Sequence, residues 1–121
     1  MLADSFFKIN SLVQEKNTVT AHLFLNAAHV IFDGHFPGMP VVPGVCMVEM
    51  IKEIFEEVIG QKTKLKSSRH IKFLNVLNPI VHAEVVAEIN YGENLEGYTL
   101  VAKIYAGDIS FFKMDSVLVI G

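Results

Sequence analysis

Apolar and polar residues alternate along much of this chain. Thr18, Thr20 and His22 interleave with Val19, Ala21 and Leu23, the period-two pattern of a half-buried strand. Residues 6–15 and 18–25 both have strand character, with Lys16-Asn17 placed to turn between them. Residues 67–74, 80–91, 98–106 and 109–120 are again rich in Val, Ile, Phe and Tyr. Gly92-Glu93-Asn94 and Gly107-Asp108 supply turn chemistry, and the second of these closes a hairpin between the last two strands.

One segment departs from this period. Over residues 44–59, Val45, Val48, Ile51, Phe55 and Val58 recur at spacings of three and four, which predicts a helix with these side chains on its buried face. Glu49, Lys52, Glu53, Glu56 and Glu57 then fall on the polar face, and Gly60 is a suitable stop. One helix of about four turns among about six strands implies an α+β fold, a curved antiparallel sheet wrapped around that helix. With 121 residues there is room for a single domain, 1–121, without a separate cofactor domain.

Composition adds two constraints. The chain is 51% hydrophobic with a mean hydropathy of +0.40. A small monomer buries only about two-thirds of the surface its unfolded chain exposes, so part of this apolar surplus is expected to meet a second subunit or line a ligand tunnel. A net charge of −3 argues against nucleic-acid binding. No apolar run approaches a membrane span and no secretory signal is visible, so a cytoplasmic protein is expected. The single cysteine, Cys46, excludes an internal disulfide and a multi-cysteine metal site.

The chemistry concentrates in residues 33–45, where Pro37, Pro40 and Pro43 stiffen the backbone and Gly34, Gly38 and Gly44 permit turns or close approach. A stiff, irregular loop that runs straight into a helix holds side chains in place, and the one worth holding is His35. A polyproline II ligand and a structural histidine are the competing readings. No Ser, Thr, Asp or Asn precedes the helix at Pro43-Gly44, which leaves its first N–H groups open to a carbonyl or anion. Glu49, in the second turn, reads on its own as one more solvated carboxylate.

The run His35-Phe-Pro-Gly-Met-Pro-Val-Val-Pro-Gly-Val-Cys-Met-Val-Glu49 closely resembles the signature of the 3-hydroxyacyl-acyl-carrier-protein dehydratases, including the fourteen-residue step from His to Glu. The Ile71–Pro79 stretch looks like that family's downstream strand and turn. The resemblance implies a hot-dog fold, a six-stranded sheet around one long helix. It implies a homodimer, in some members assembled further into hexamers, in which His35 of one subunit faces Glu49 of the other. His35 would take the α-proton of a 3-hydroxyacyl thioester, and protonated Glu49 would help the β-hydroxyl leave as water. The Gly44 N–H would polarise the thioester carbonyl, and the Val41 carbonyl would hold the second ring nitrogen of His35. No metal or organic cofactor is required. The expected partner is an acyl carrier protein bearing a phosphopantetheine-linked chain, and the expected product a trans-2-enoyl chain for fatty acid, polyketide or polyene synthesis.

Departures from that family's pattern bear on the details. Glu53 stands where Gln is common; turned inward, its charge would disfavour ionisation of Glu49. Ile80-Val81 replaces a Gly-Asp pair. Lys62, Lys64, Lys66, Arg69 and Lys72 form the one basic concentration, either a solvated face or contacts for an acidic carrier protein. Cys46 beside the helix start reads as apolar packing rather than a reactive thiol. A hot-dog thioesterase and a non-catalytic or partner-dependent subunit of an acyl assembly complex remain the alternatives.

Overall fold

The computed structural model describes residues 2–33 and 40–121. Six strands form one antiparallel sheet: β1 (Phe7–Glu15), β2 (Thr18–Leu25), β3 (Thr63–Phe73), β4 (Glu84–Glu93), β5 (Tyr98–Ala106) and β6 (Ile109–Ile120). Their spatial order is β1-β2-β4-β5-β6-β3, so the strand that follows the helix crosses to the far edge. The α-helix among the described residues, α1 (Gly44–Ile59), packs on the inner face. This is the hot-dog fold expected from the sequence.

Alternation decides which face is inner. Val19, Ala21, Leu23 and Leu25 of β2, Val85, Ala87 and Ile89 of β4, and Leu100, Ala102 and Ile104 of β5 are all buried. Ala21 sits opposite Ala87, and Ala102 opposite Ile89. Small residues mid-sheet leave depth for the helix side chains Met50, Ile51, Ile54 and Phe55, which are fully buried. Phe55 is gripped edge-on by Tyr91 and Tyr98, with ring centroids 5.2 and 5.0 Å away.

The turn expectations at both hairpins hold. Lys16 takes the left-handed conformation between β1 and β2, and Gly107 does so between β5 and β6. Three boundaries differ. β3 begins at Thr63, four residues before the apolar-rich stretch, because ladder bonds to β6 carry the polar run along. β4 begins at Glu84 rather than at residue 80. Asn78 forces the earlier residues into a turn: its side-chain oxygen accepts from Ile80 N–H, and its carbonyl accepts from the N–H groups of Val81 and His82. Gly92 and Glu93 continue β4 instead of turning, and the reversal falls on Asn94, whose side chain accepts from the N–H groups of Glu96 and Gly97.

The helix faces also need correction. Val45, assigned to the buried side, is 76% exposed, whereas Glu53 and Glu56, assigned to the polar side, are buried. The true inner stripe runs through Cys46, Met47, Met50, Ile51, Ile54 and Phe55. The two carboxylates are tolerated beside it because each accepts buried backbone donors. Glu53 takes the N–H groups of Leu2 and Ala3, and Glu56 takes the N–H of Thr63.

Candidate active site

The segment entering the helix is fixed from the side. Val42 is buried and donates its N–H to the carbonyl of buried Leu77 at 2.9 Å, tying the approach to α1 to the loop after β3. That loop is held in turn by Leu74 N–H on the Phe111 carbonyl and by the Asn75 side chain on the Ser110 carbonyl. Pro43 is the residue before the helix, and no side chain among the described residues caps it. Among the described residues, the helix start is thus without a side-chain cap.

Gly44 lets the Phe73 ring lie close over the helix start. A Cβ at this position would lie 2.6 Å from the ring of Phe73, which covers the first turn. Together they line a groove of about 400 Å³ that also takes in Val41, Met47 and Val76. Its walls are mostly apolar, as an acyl chain would need. Phe73 was not foreseen as a site residue; its place as the last residue of β3, directly opposite Phe112, brings it there.

Glu49 lies further along α1 and does not line this groove. Five residues at about 100° each place it roughly 140° around the helix from Gly44. The Glu49 side chain thus leaves the helix on a different side from the groove at Gly44. Glu49 is half-buried, with Lys52 Nζ 3.9 Å away. Burial, a hydrogen bond to the Glu53 carboxyl, and the charges of Glu53 and Glu56 push the Glu49 carboxyl above its ordinary value, against the pull of Lys52. Glu53 moves the other way. Burial would raise it, but the hydrogen bonds from Glu49, Leu2 and Ala3 together hold it down. Of two carboxyls four residues apart, Glu49 is thus the one that favours the proton and Glu53 the one that favours the charge.

His35 lies outside the described residues, so the structure does not place it against Glu49 or against the Val41 carbonyl. Cys46 is buried, and burial together with the Glu49 charge raises its thiol, which fits packing rather than reactivity. The basic residues do not make one compact patch. Lys62 precedes β3, and Lys64, Lys66, Arg69 and Lys72 are strung along that strand. Lys66 pairs with Glu96, and Lys72 stands opposite Lys113. β3 is an edge strand, with β6 as its one partner among the described residues, and it leaves Leu65 and Phe73 exposed. No group of three metal-ligating side chains occurs among the described residues, and no described helix is long and apolar enough to cross a membrane.

Known proteins resemble this chain in sequence and fold. The sequence pattern of the ApeI-like dehydratases matches residues 11–105. A 3-hydroxyacyl-[acyl-carrier-protein] dehydratase, FabZ, from Roseobacter denitrificans is 34% identical over 59 residues. That match covers 46% of this chain and 38% of the relative, so it spans well under half the length of that enzyme. A chain of the dehydratase heterocomplex ApeI:P from Xenorhabdus doucetiae has the same fold, with a TM-score of 0.77 at 20% identity over 92% of this chain and 96% of that one. An uncharacterized protein from Erwinia carotovora subsp. atroseptica superposes with a TM-score of 0.65 at 21% identity, covering 92% of this chain and 91% of its own. With the family pattern covering most of the chain over a hot-dog sheet and helix, the protein belongs to the ApeI-like dehydratase family.

Proposed function

We propose that this chain, acting in the cytoplasm as one hot-dog domain over residues 1–121, dehydrates 3-hydroxyacyl thioesters carried on acyl carrier protein. The observation that carries the reading is the half-buried Glu49 carboxyl, pushed above its ordinary value by burial and by Glu53, on the helix that leads from Gly44. Family membership supplies the reaction class. In this scheme His35 takes the α-proton, and the electron pair left behind spreads onto the thioester carbonyl oxygen. The Gly44 N–H and the positive end of the helix dipole stabilise that oxygen. The charge then returns to form the α,β double bond, while Glu49 gives its proton to the departing β-hydroxyl, which leaves as water.

A composite site is the reading we favour, because Glu49 does not line the groove beside Gly44. A second subunit docked on the β3 edge would cover the exposed Phe73 and bring its own Glu49 to the groove beside Gly44. We assign that subunit to a second copy of this chain. A different dehydratase-like subunit is the second reading, favoured by the fold shared with the ApeI:P heterocomplex, which would make activity depend on that partner. Lys62, Lys64, Lys66, Arg69 and Lys72 along the edge strand would offer the acidic carrier protein salt-sensitive contacts. Mass spectrometry of 3-hydroxyacyl carrier protein incubated with the purified chain separates the outcomes. Loss of water supports the dehydratase, release of free acid identifies a thioesterase, and no change points to a subunit that needs its partner.

A further inference from the structure

Glu53 has more acceptor work than a surface carboxylate needs. It is 5% exposed, and its two oxygens receive the Leu2 N–H at 3.0 and 2.8 Å and the Ala3 N–H at 2.9 Å. The segment that supplies these donors is firmly anchored. Phe6 and Phe7 are buried in the core, Phe6 N–H bonds the Leu2 carbonyl, and Asn26 bonds the carbonyls of Ser5 and Phe6. Two amide donors on a buried carboxylate favour its charged form. One turn earlier on the same helix stands half-buried Glu49, the residue four positions before Glu53 and so its neighbour on the helix surface.

We propose that Glu53 is a positioning residue for the acid proton: a carboxylate, fixed by the backbone N–H groups of Leu2 and Ala3, that accepts the hydrogen bond of the Glu49 O–H. This rests on the reading of Glu49 as the catalytic acid. It assigns a role to the amino-terminal segment as well, because that segment sets the charge and orientation of Glu53 from about 50 residues away in sequence. The other charged groups around the pair are the amino terminus, which also favours ionised Glu53, Lys52 and Glu56 on the same helix, and Glu57 and Lys62 beside Glu53. Lys52 is shared, 3.9 Å from Glu49 and 3.2 Å from Glu56, so it does not neutralise Glu53.

Glu53→Gln reverses the arrangement. If the amide oxygen keeps the Leu2 and Ala3 donors, its NH2 faces Glu49 and donates to it, which stabilises the ionised acid. The pH profile of turnover is the readout. An enzyme that needs protonated Glu49 loses activity as pH rises through the Glu49 titration. In Glu53→Gln that basic limb should move to lower pH, with the acid limb left in place. Carboxyl carbon NMR of the wild-type protein provides a second measurement that needs no stable variant: Glu49 should titrate at higher pH than Glu53. Glu49→Gln, inactive in this account, supplies the assignment. Full activity of Glu49→Gln would overturn the parent reading. An inactive Glu49→Gln, a Glu53→Gln profile superimposable on wild type, and two carboxyls titrating together would overturn this inference alone.

Discussion

Replacing Glu56 tests whether buried carboxylates on α1 are structural acceptors. Glu56 Oε2 receives the Thr63 N–H at 2.6 Å, the Thr63 hydroxyl at 3.1 Å and Lys52 Nζ at 3.2 Å. Thr63 opens the edge strand β3 and is itself buried, so these bonds join the end of the helix to the start of that strand. Glu56→Ala leaves a buried N–H without its acceptor, which costs about 1–3 kcal/mol, and loses the charged bond to Lys52 as well. A total of about 2–4 kcal/mol follows, a large share of the stability of a small domain. Glu56→Gln keeps an oxygen in place and forgoes only the charge, so about 1 kcal/mol is expected. Urea denaturation at neutral pH should show both shifts in midpoint with little change in slope. The pH dependence has a definite sign. Burial raises the Glu56 carboxyl, but the bonds from Thr63 and Lys52 outweigh it and hold the group below its ordinary value. Its stabilisation is therefore complete above the unfolded value, about 4.3, and is lost as pH falls through the folded one. The gap between wild type and Glu56→Gln should close in acid. An alanine variant within about 0.5 kcal/mol of wild type, or a glutamine variant as damaged as alanine, would refute the acceptor account.

Other outcomes follow from the site. His35→Ala and Glu49→Gln should each lower turnover at least about a hundredfold with unchanged circular dichroism; near-normal turnover in a folded variant removes that residue from the chemistry. Mixing the two inactive variants under subunit exchange should restore up to about half the wild-type activity per dimer, since one of the two sites then has neither defect. Native mass spectrometry that confirms mixed dimers without recovered activity would place both residues in one subunit. Gly44→Ala puts a methyl group 2.6 Å from the Phe73 ring and should displace it, raising KM; adding Phe73→Ala should relieve the clash, visible as recovered thermal stability.

Much of this was legible in the sequence because alternation and helical spacing are local signals. The β2 pattern of Val19, Ala21 and Leu23 matched its burial, and the helix bounds fell where the spacing put them. What the pattern misassigned depends on distant partners. Glu53 and Glu56 look like solvated charges until Leu2, Ala3 and Thr63 arrive to donate to them. Val45 looks like core, but at the very start of α1 it falls outside the stripe that meets the sheet. Phe73 became a site residue only through the strand crossover that lays β3 along β6, next to the helix start. Glu49 carried no signal of its own beyond its distance from His35, and its raised carboxyl depends first on burial and then on the inward turn of Glu53.

The central claim, that this chain removes water from a carrier-bound 3-hydroxyacyl group through Glu49, is tested most directly by one comparison. Intact-mass measurement of 3-hydroxyacyl carrier protein should be made over time with wild-type protein and with Glu49→Gln at equal concentration. The account predicts loss of one water with wild type and an unchanged substrate with the variant. Equal water loss with both, or release of free acid by wild type, would contradict it.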